Sequence, residues 1–251
     1  MAGPNGEVDS AITIVSGLPR SGTSLMMQVL EAAGLPIASD ARRPPDEDNP
    51  RGYLELSAVR RIHRDTAFLR EAGGRVVKVV APLLSALPDE HVYRVLFMQR
   101  DLAEVMASQR TMLERRTMLG PRTMLGPRTM LGPRTMLEPR TMLEPRGESM
   151  AQPDDAAMRQ AFASELVRVE RWLREHPRIP VLFVEHRDLL ERPEQQIANV
   201  ADFLAETGTP IPFDARAKMV GVVEPKLHRQ RSEHLVRAPR IAASARSGRI
   251  V

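Results

Sequence analysis

Four short runs of consecutive apolar, largely β-branched residues stand out along the chain: "AITIVSG" (Ala11–Gly17), "RVVKVVA" (Arg75–Ala81), "YRVLFMQR" (Tyr93–Arg100) and "PVLFVEH" (Pro180–His186). A run without alternation, bounded by turn residues, reads as a strand buried on both faces, as in a parallel sheet. Between these runs the apolar spacing changes to three and four. "GTSLMMQVLEAAGLP" predicts a helix with Leu25, Met26, Val29 and Leu30 inward, stopped by Gly34 and Pro36. "DLAEVMASQRTMLERRTML" predicts a second helix with Asp101 as its N-cap. "DDAAMRQAFASELVRVERWLREH" predicts a long amphipathic helix, and "RPEQQIANVADFLAETG" another that ends near Gly208. Strands alternating with helices predict an α/β fold of three layers, a central parallel sheet flanked by helices, as one domain over residues 1–251. Ligands of such sheets sit beyond the carboxyl ends of the strands, where Gly17–Ser24 and Arg100 both fall.

One segment obeys other rules. From Arg110 the chain reads RTMLER, RTMLGP, RTMLGP, RTMLGP, RTMLEP, RTMLEP and then Arg146. A six-residue step turns a helix by about 240° per unit, so no constant apolar face builds up. Pro121, Pro127, Pro133, Pro139 and Pro145 would break a helix in any case. The run is also too short, and too rich in Pro and Gly, for a stacked hexapeptide β-helix. Residues 116–145 are therefore expected to be an expanded tandem repeat inserted into the domain, exposed and mobile, whose removal leaves every other element intact.

Composition narrows the chemistry. A chain of 251 residues with 42% hydrophobic content can bury a full α/β core. With no Cys, disulfides, thiolate zinc sites and Cys nucleophiles are excluded, and the six His never fall in a metal-ligand spacing, so no metal site is expected. No apolar stretch approaches the roughly 20 residues that span a bilayer, and "MAGPNGEVDS" lacks the basic start and apolar core of a secretory signal. A cytoplasmic protein without a membrane partner is expected. The net charge is +4, yet only three of 36 basic residues are Lys (Lys78, Lys218, Lys226). So much Arg suits a solvated surface or the grip of phosphate-bearing partners. Nucleic acid is not expected, because aromatic content is 4% and no basic stripe is interleaved with aromatics.

The candidate chemistry starts at "SGLPRSGTSLMM" (Ser16–Met27). Gly17-Leu18-Pro19-Arg20-Ser21-Gly22-Thr23-Ser24 has the two glycines of a P-loop, but Thr23 stands where an ATP-binding loop requires Lys. Backbone N–H groups and the following helix N-terminus still make an anion cradle, to which the hydroxyls of Thr23 and Ser24 and the charge of Arg20 are added. A phosphate group is the expected ligand.

"GLPRSGTS" resembles the 5'-phosphosulfate loop of the sulfotransferases, and "RDLAEVMAS" (Arg100–Ser108) resembles their 3'-phosphate motif. "DEDNPRGYLE", "VVKVVAPLL", "ASQRTMLERR" and "KLHRQR" resemble segments of small bacterial sulfotransferase-like proteins, so the similarity runs from about Ile12 to Arg231, the repeats apart. It implies binding of 3'-phosphoadenosine 5'-phosphosulfate (PAPS) through Gly17, Arg20, Ser21, Gly22, Thr23, Ser24, Arg100 and Ser108, and sulfuryl transfer to an unidentified acceptor without a metal. Sulfuryl transfer needs charge stabilisation on the leaving phosphate and a base for the acceptor's proton. Arg20 and Lys78 are expected to do the first; Lys78, alone in an apolar strand of an Arg-rich chain, resembles the strand Lys of the family. In the cytosolic branch a His lies two residues on, where this chain has Val80, so a carboxylate is considered instead. Asp46, Glu47, Asp48 and Glu55 offer themselves, Glu55 first because it begins the next helical stretch, with His63 as the alternative base. Lys226, Arg229 and Arg231 either close over the 3'-phosphate or form a basic tail. Three functions stay open: a PAPS-dependent sulfotransferase, a P-loop phosphotransferase, and a nucleotide-binding protein without catalysis. Acceptor and oligomeric state are not legible.

Overall fold

A computed structural model describes residues 10–40, 42, 43, 45, 46, 49, 51–118 and 155–223, with residues 115–118 as backbone alone. The repeat units from residue 119 onward, Glu47, Asp48, and the basic residues Lys226, Arg229 and Arg231 lie outside the described residues.

The four apolar runs form one parallel sheet. Its strands are β1 (Ile12–Gly17), β2 (Val76–Lys78), β3 (Tyr93–Gln99) and β4 (Val181–Glu185), in the order β2-β1-β3-β4. β1 is central, and all six of its residues are buried, which is why it reads as an unbroken apolar run. Its register pairs Val15 with Lys78 on one side and Gly17 with Met98 on the other. β3 pairs Gln99 with Glu185. The carboxyl ends of all four strands thus share one edge, where the loop after β1, Lys78, Arg100 and His186 come together.

Period-two alternation sends successive side chains to opposite faces. Ile12, Ile14, Val77, Val95 and Phe97 pack beneath α2 (Leu102–Met118) and α3 (Asp155–Glu175), with Trp172, Phe162 and Val169 of α3 closing that core. Val15, Val76, Leu96, Met98 and Val184 face α1 (Thr23–Ala32), α4 (His186–Glu191), α5 (Pro193–Glu206) and α6 (Phe213–Val222). The fold is a three-layer α/β sandwich, as the alternation of patterns predicts. α5 buries Ile197, Val200, Ala201 and Leu204, one helical stripe. At about 1.5–3 kcal/mol per large apolar side chain, that stripe outweighs the helix's lack of a side-chain cap.

Two departures from the sequence reading bear on the site. The run Arg75–Ala81 is strand only over Val76–Lys78, because the chain then turns into a 3-10 helix, Ala81–Ala86, with Pro82 in its first turn. Pro82 has no N–H to give a ladder. Lys78 therefore ends its strand, at the ligand edge, rather than lying within it. α4 and α6 carry too little apolar periodicity to be read beforehand: α6 buries only Ala215 and Met219. No helix of the described residues is long and apolar enough to cross a membrane.

Candidate functional site

The loop after β1 is shaped by crowding. A Cβ at Gly17 would lie 2.4 Å from Ser21 Oγ and 2.6 Å from the Met98 carbonyl, so only glycine lets the chain turn against β3. Ser21 N donates to the Leu18 carbonyl at 3.1 Å, and Arg20 takes a left-handed backbone, φ 69°. Left-handed geometry is uncommon for a residue with a side chain and clusters at functional turns. Gly22, φ 99°, is the N-cap of α1; a Cβ there would meet His186 Cδ2 at 2.4 Å. The first intrahelical bond runs from Met26 N to the Gly22 carbonyl, leaving the N–H groups of Thr23, Ser24 and Leu25 ahead of the helix ladder. Ser21 Oγ is 1% exposed as a residue and has no hydrogen-bond partner among the described residues. A backbone cradle without room for a Cβ, an orphaned buried hydroxyl and a cation on the same turn fit an anionic ligand.

Arg20 joins this loop to the next. Its Nε donates to Ser108 Oγ at 3.0 Å, and Arg100 Nη1 donates to the Arg20 carbonyl at 3.0 Å. Arg100 follows β3, and Asp101 caps α2 by accepting from the N–H groups of Ala103 and Glu104 at 2.9 and 3.2 Å. That cap, worth about 1 kcal/mol, fixes the angle at which α2 leaves the sheet and so places Ser108. Arg100 also donates from Nε to Glu104 Oε2 at 3.0 Å. Burial pulls the Arg100 guanidinium below its usual range, and Glu104 opposes that shift. The sequence spacing suggests Arg100 and Ser108 as one pair; in the structure Ser108 is bonded by Arg20, while Arg100 braces the Arg20 backbone.

Lys78 forms the second cluster. It points the same way as Val76 and Val15, toward α1, so Nζ reaches Ser24 in that helix's first turn. Nζ donates to Ser24 Oγ at 2.9 Å, to the Tyr53 carbonyl at 3.1 Å and to Glu55 Oε1 at 3.2 Å, which uses all three ammonium donors. The loop brings both acceptors there by bending at Gly52, φ 87°, and Leu54, φ 49°. Burial pulls the Lys78 ammonium down to about 8, against the upward pull of Glu55; nearby Arg43 and Arg20 add to the lowering.

Glu55 lies just ahead of a 3-10 helix, Ser57–Arg61. Its Oε1 also accepts from Arg43 Nη1 at 3.1 Å, and Oε2 faces Arg60 Nη2 at 3.8 Å. Arg43 stacks on the Tyr53 ring, 3.1 Å from its centroid. Tyr53 OH donates to Asp46, and burial together with that carboxylate pushes the phenol up to about 12. Gln28 of α1 ties the loop down through Asn49 Oδ1 and the Gly52 carbonyl, each at 3.2 Å.

The structure thus gathers Gly17, Arg20, Ser21, Gly22, Thr23, Ser24, Lys78, Glu55, Arg100 and Ser108 along one edge. Asp46 is drawn to Tyr53, and His63 is exposed beyond the 3-10 helix and is not among the hydrogen-bond partners of Lys78. Arg43, Tyr53, Glu104 and His186 escaped the sequence reading. Tyr53 carried one signal, as one of only two Tyr in the chain; Arg43 carried none amid so many arginines.

No protein-family model matches the sequence, and no curated protein matches it. Among solved structures the chain is similar to a sulfotransferase from Mycobacterium avium, with 13% identity, TM-score 0.46, and 94% of this chain and 72% of that one covered. It is likewise similar to the sulfotransferase domain of the Synechococcus olefin synthase, with 14% identity, TM-score 0.41, and 91% and 86% covered.

Proposed function

We propose that the protein is a PAPS-dependent sulfotransferase. The observation that supports this reading is the join between the two loops expected from the sequence to hold phosphate: Arg20, on the loop after β1, donates to Ser108 of α2 and is braced by Arg100 after β3. One continuous cationic rim spanning two loops suits a nucleotide with phosphates at both its 5' and 3' positions better than the single phosphate chain of ATP. Thr23, in place of the P-loop Lys, points the same way.

In this reading the cradle of Gly17–Ser24 holds the 5'-phosphosulfate end, and Arg100, Arg20 and Ser108 hold the 3'-phosphate. Bound there, PAPS supplies a sulfuryl group to the acceptor and leaves as 3'-phosphoadenosine 5'-phosphate. Lys78, beside Ser24, places a positive charge where negative charge develops on the departing phosphate. Glu55 has Oε1 committed to Lys78 and Arg43. When Lys78 turns to the donor, Oε1 loses one of its two donors while Arg43 still holds the carboxylate in place, and Glu55 becomes the stronger base for the acceptor's proton. The pair therefore couples donor engagement to base activation.

The test is transfer of radiolabelled sulfuryl from PAPS to an extract of small molecules, with Lys78→Ala alongside. Labelled product from the wild type and not from the variant supports the assignment. Magnesium-dependent ATP turnover without sulfuryl transfer would replace it with a phosphotransferase, and tight nucleotide binding without any transfer would leave a binding protein.

A further inference from the structure

Arg43 has a half-used fork. One arm, Nη1, donates to Glu55 Oε1 at 3.1 Å; the other, Nη2, is buried and has no hydrogen-bond partner among the described residues. The side chain is only 15% exposed, held flat on the Tyr53 ring. A buried guanidinium nitrogen without an acceptor is costly, and a native fold keeps one when something else supplies the acceptor. The charge around it asks for the same thing. Arg20 and Arg43 both stand close enough to Lys78 to oppose its ammonium charge, while a single oxygen, Glu55 Oε1, accepts from both Lys78 and Arg43.

We propose that Arg43 is the anion-binding residue of the transfer centre, its Nη2 taking an oxyanion beside Lys78. Two sources share that chemistry: the sulfuryl group in transit, and a carboxylate or phosphate borne by the acceptor. Arg suits the task because its planar fork holds Glu55 with one arm and presents the other at a fixed angle, which a Lys cannot do. Stacking on Tyr53 sets the plane of that fork and keeps it there between turnovers. This assignment rests on the sulfotransferase reading for the identity of its ligand, and on the Arg43 geometry alone for the presence of an anion site.

The experiment is a calorimetric titration of inorganic sulfate into protein already saturated with 3'-phosphoadenosine 5'-phosphate, so that the phosphate positions are filled. The wild type should bind one sulfate, and Arg43→Met and Arg43→Lys should each weaken it at least tenfold while nucleotide affinity stays within about twofold, which also shows that the variants fold. Sulfate affinity unchanged in either folded variant overturns the proposal. A parallel titration with acetate separates the sources: sulfate alone binding in an Arg43-dependent way assigns the site to the transferring group, and acetate binding equally well assigns it to an acidic acceptor. If the wild type does not bind the nucleotide, the sulfotransferase reading falls. Sulfate titrated into Arg20→Ala with and without Arg43→Met then isolates the part of the binding that depends on Arg43, whose loss in the double variant still upholds the site and whose persistence overturns it.

Discussion

Arg20 Nε and Ser108 Oγ lie 3.0 Å apart although 88 positions separate them in sequence. The bond ties a left-handed turn at the end of one strand to a helix that begins after another, on the rim to which the proposed function assigns a nucleotide. Arg100 secures the same turn from beneath by donating to the Arg20 carbonyl. The two residues should therefore be coupled in nucleotide binding. Arg20→Ala removes a charge as well as a donor and is expected to weaken 3'-phosphoadenosine 5'-phosphate by about 1.5–3 kcal/mol; Ser108→Ala should cost about 0.5–1.5 kcal/mol. Calorimetry on the two single variants and the double variant should give a smaller loss in the double than the sum of the singles. Strict additivity would show that the bond has no part in shaping the site.

Lys78 makes stability depend on pH in a direction the geometry fixes. Its folded value of about 8 lies below the ordinary 10.5, so between pH 8 and 10.5 the unfolded chain holds more protons than the folded one. Stability contributed by this group rises with pH across that window and is lowest below pH 8, where a buried charge is carried. Lys78→Met should accordingly be more stable than the wild type at pH 7 by roughly 1–3 kcal/mol, with Glu55 still paired to Arg43. The advantage should shrink between pH 8 and 10.5 in denaturant titrations. A wild type that is the more stable at pH 7 would contradict this. An ammonium kept at a cost to stability accords with the role proposed for Lys78.

The sequence singled out residues that the fold gathers at the carboxyl edge of the sheet and left the bonds between them hidden. Lys78 was legible because a lone Lys inside an apolar run goes against the Arg-rich drift of the chain, and the loop after β1 because glycines, hydroxyls and Arg fell at a strand-to-helix turn. Ser108 was legible only as a residue eight places after Arg100; its bond to Arg20 depends on the angle between α2 and the sheet, which no spacing encodes. The meeting of Glu55 with Lys78 depends on two left-handed residues, Gly52 and Leu54, and the second of these is unannounced because leucine rarely adopts that geometry. Arg43 was hidden by abundance. Its distinction is the ring it lies on, a tertiary fact.

Gly22 is set by a neighbour from the far end of the sheet. His186, where β4 gives way to α4, fills the space that a Cβ at Gly22 would need, 2.4 Å away. Gly22→Ala should lose most nucleotide binding and roughly 1–3 kcal/mol of stability, from the clash and the left-handed backbone together. Adding His186→Ala should restore part of the stability by clearing the clash, leaving the backbone strain. Thermal melts of the single and double variants measure this; a double variant no more stable than Gly22→Ala would mean that the ring is not what keeps the position glycine.

The most direct measurement compares the affinity of 3'-phosphoadenosine 5'-phosphate with that of adenosine 5'-phosphate, by calorimetry at fixed salt. The two differ only in the 3'-phosphate, the group assigned to Arg20, Arg100 and Ser108. Two or three charge-assisted bonds at about 1.5–3 kcal/mol each should favour the bisphosphate by well over tenfold, and Arg100→Met should remove most of that preference without abolishing binding of the monophosphate. Equal affinity for the two nucleotides, or a preference that Arg100→Met leaves untouched, would contradict the joined-loop site on which the proposed function rests.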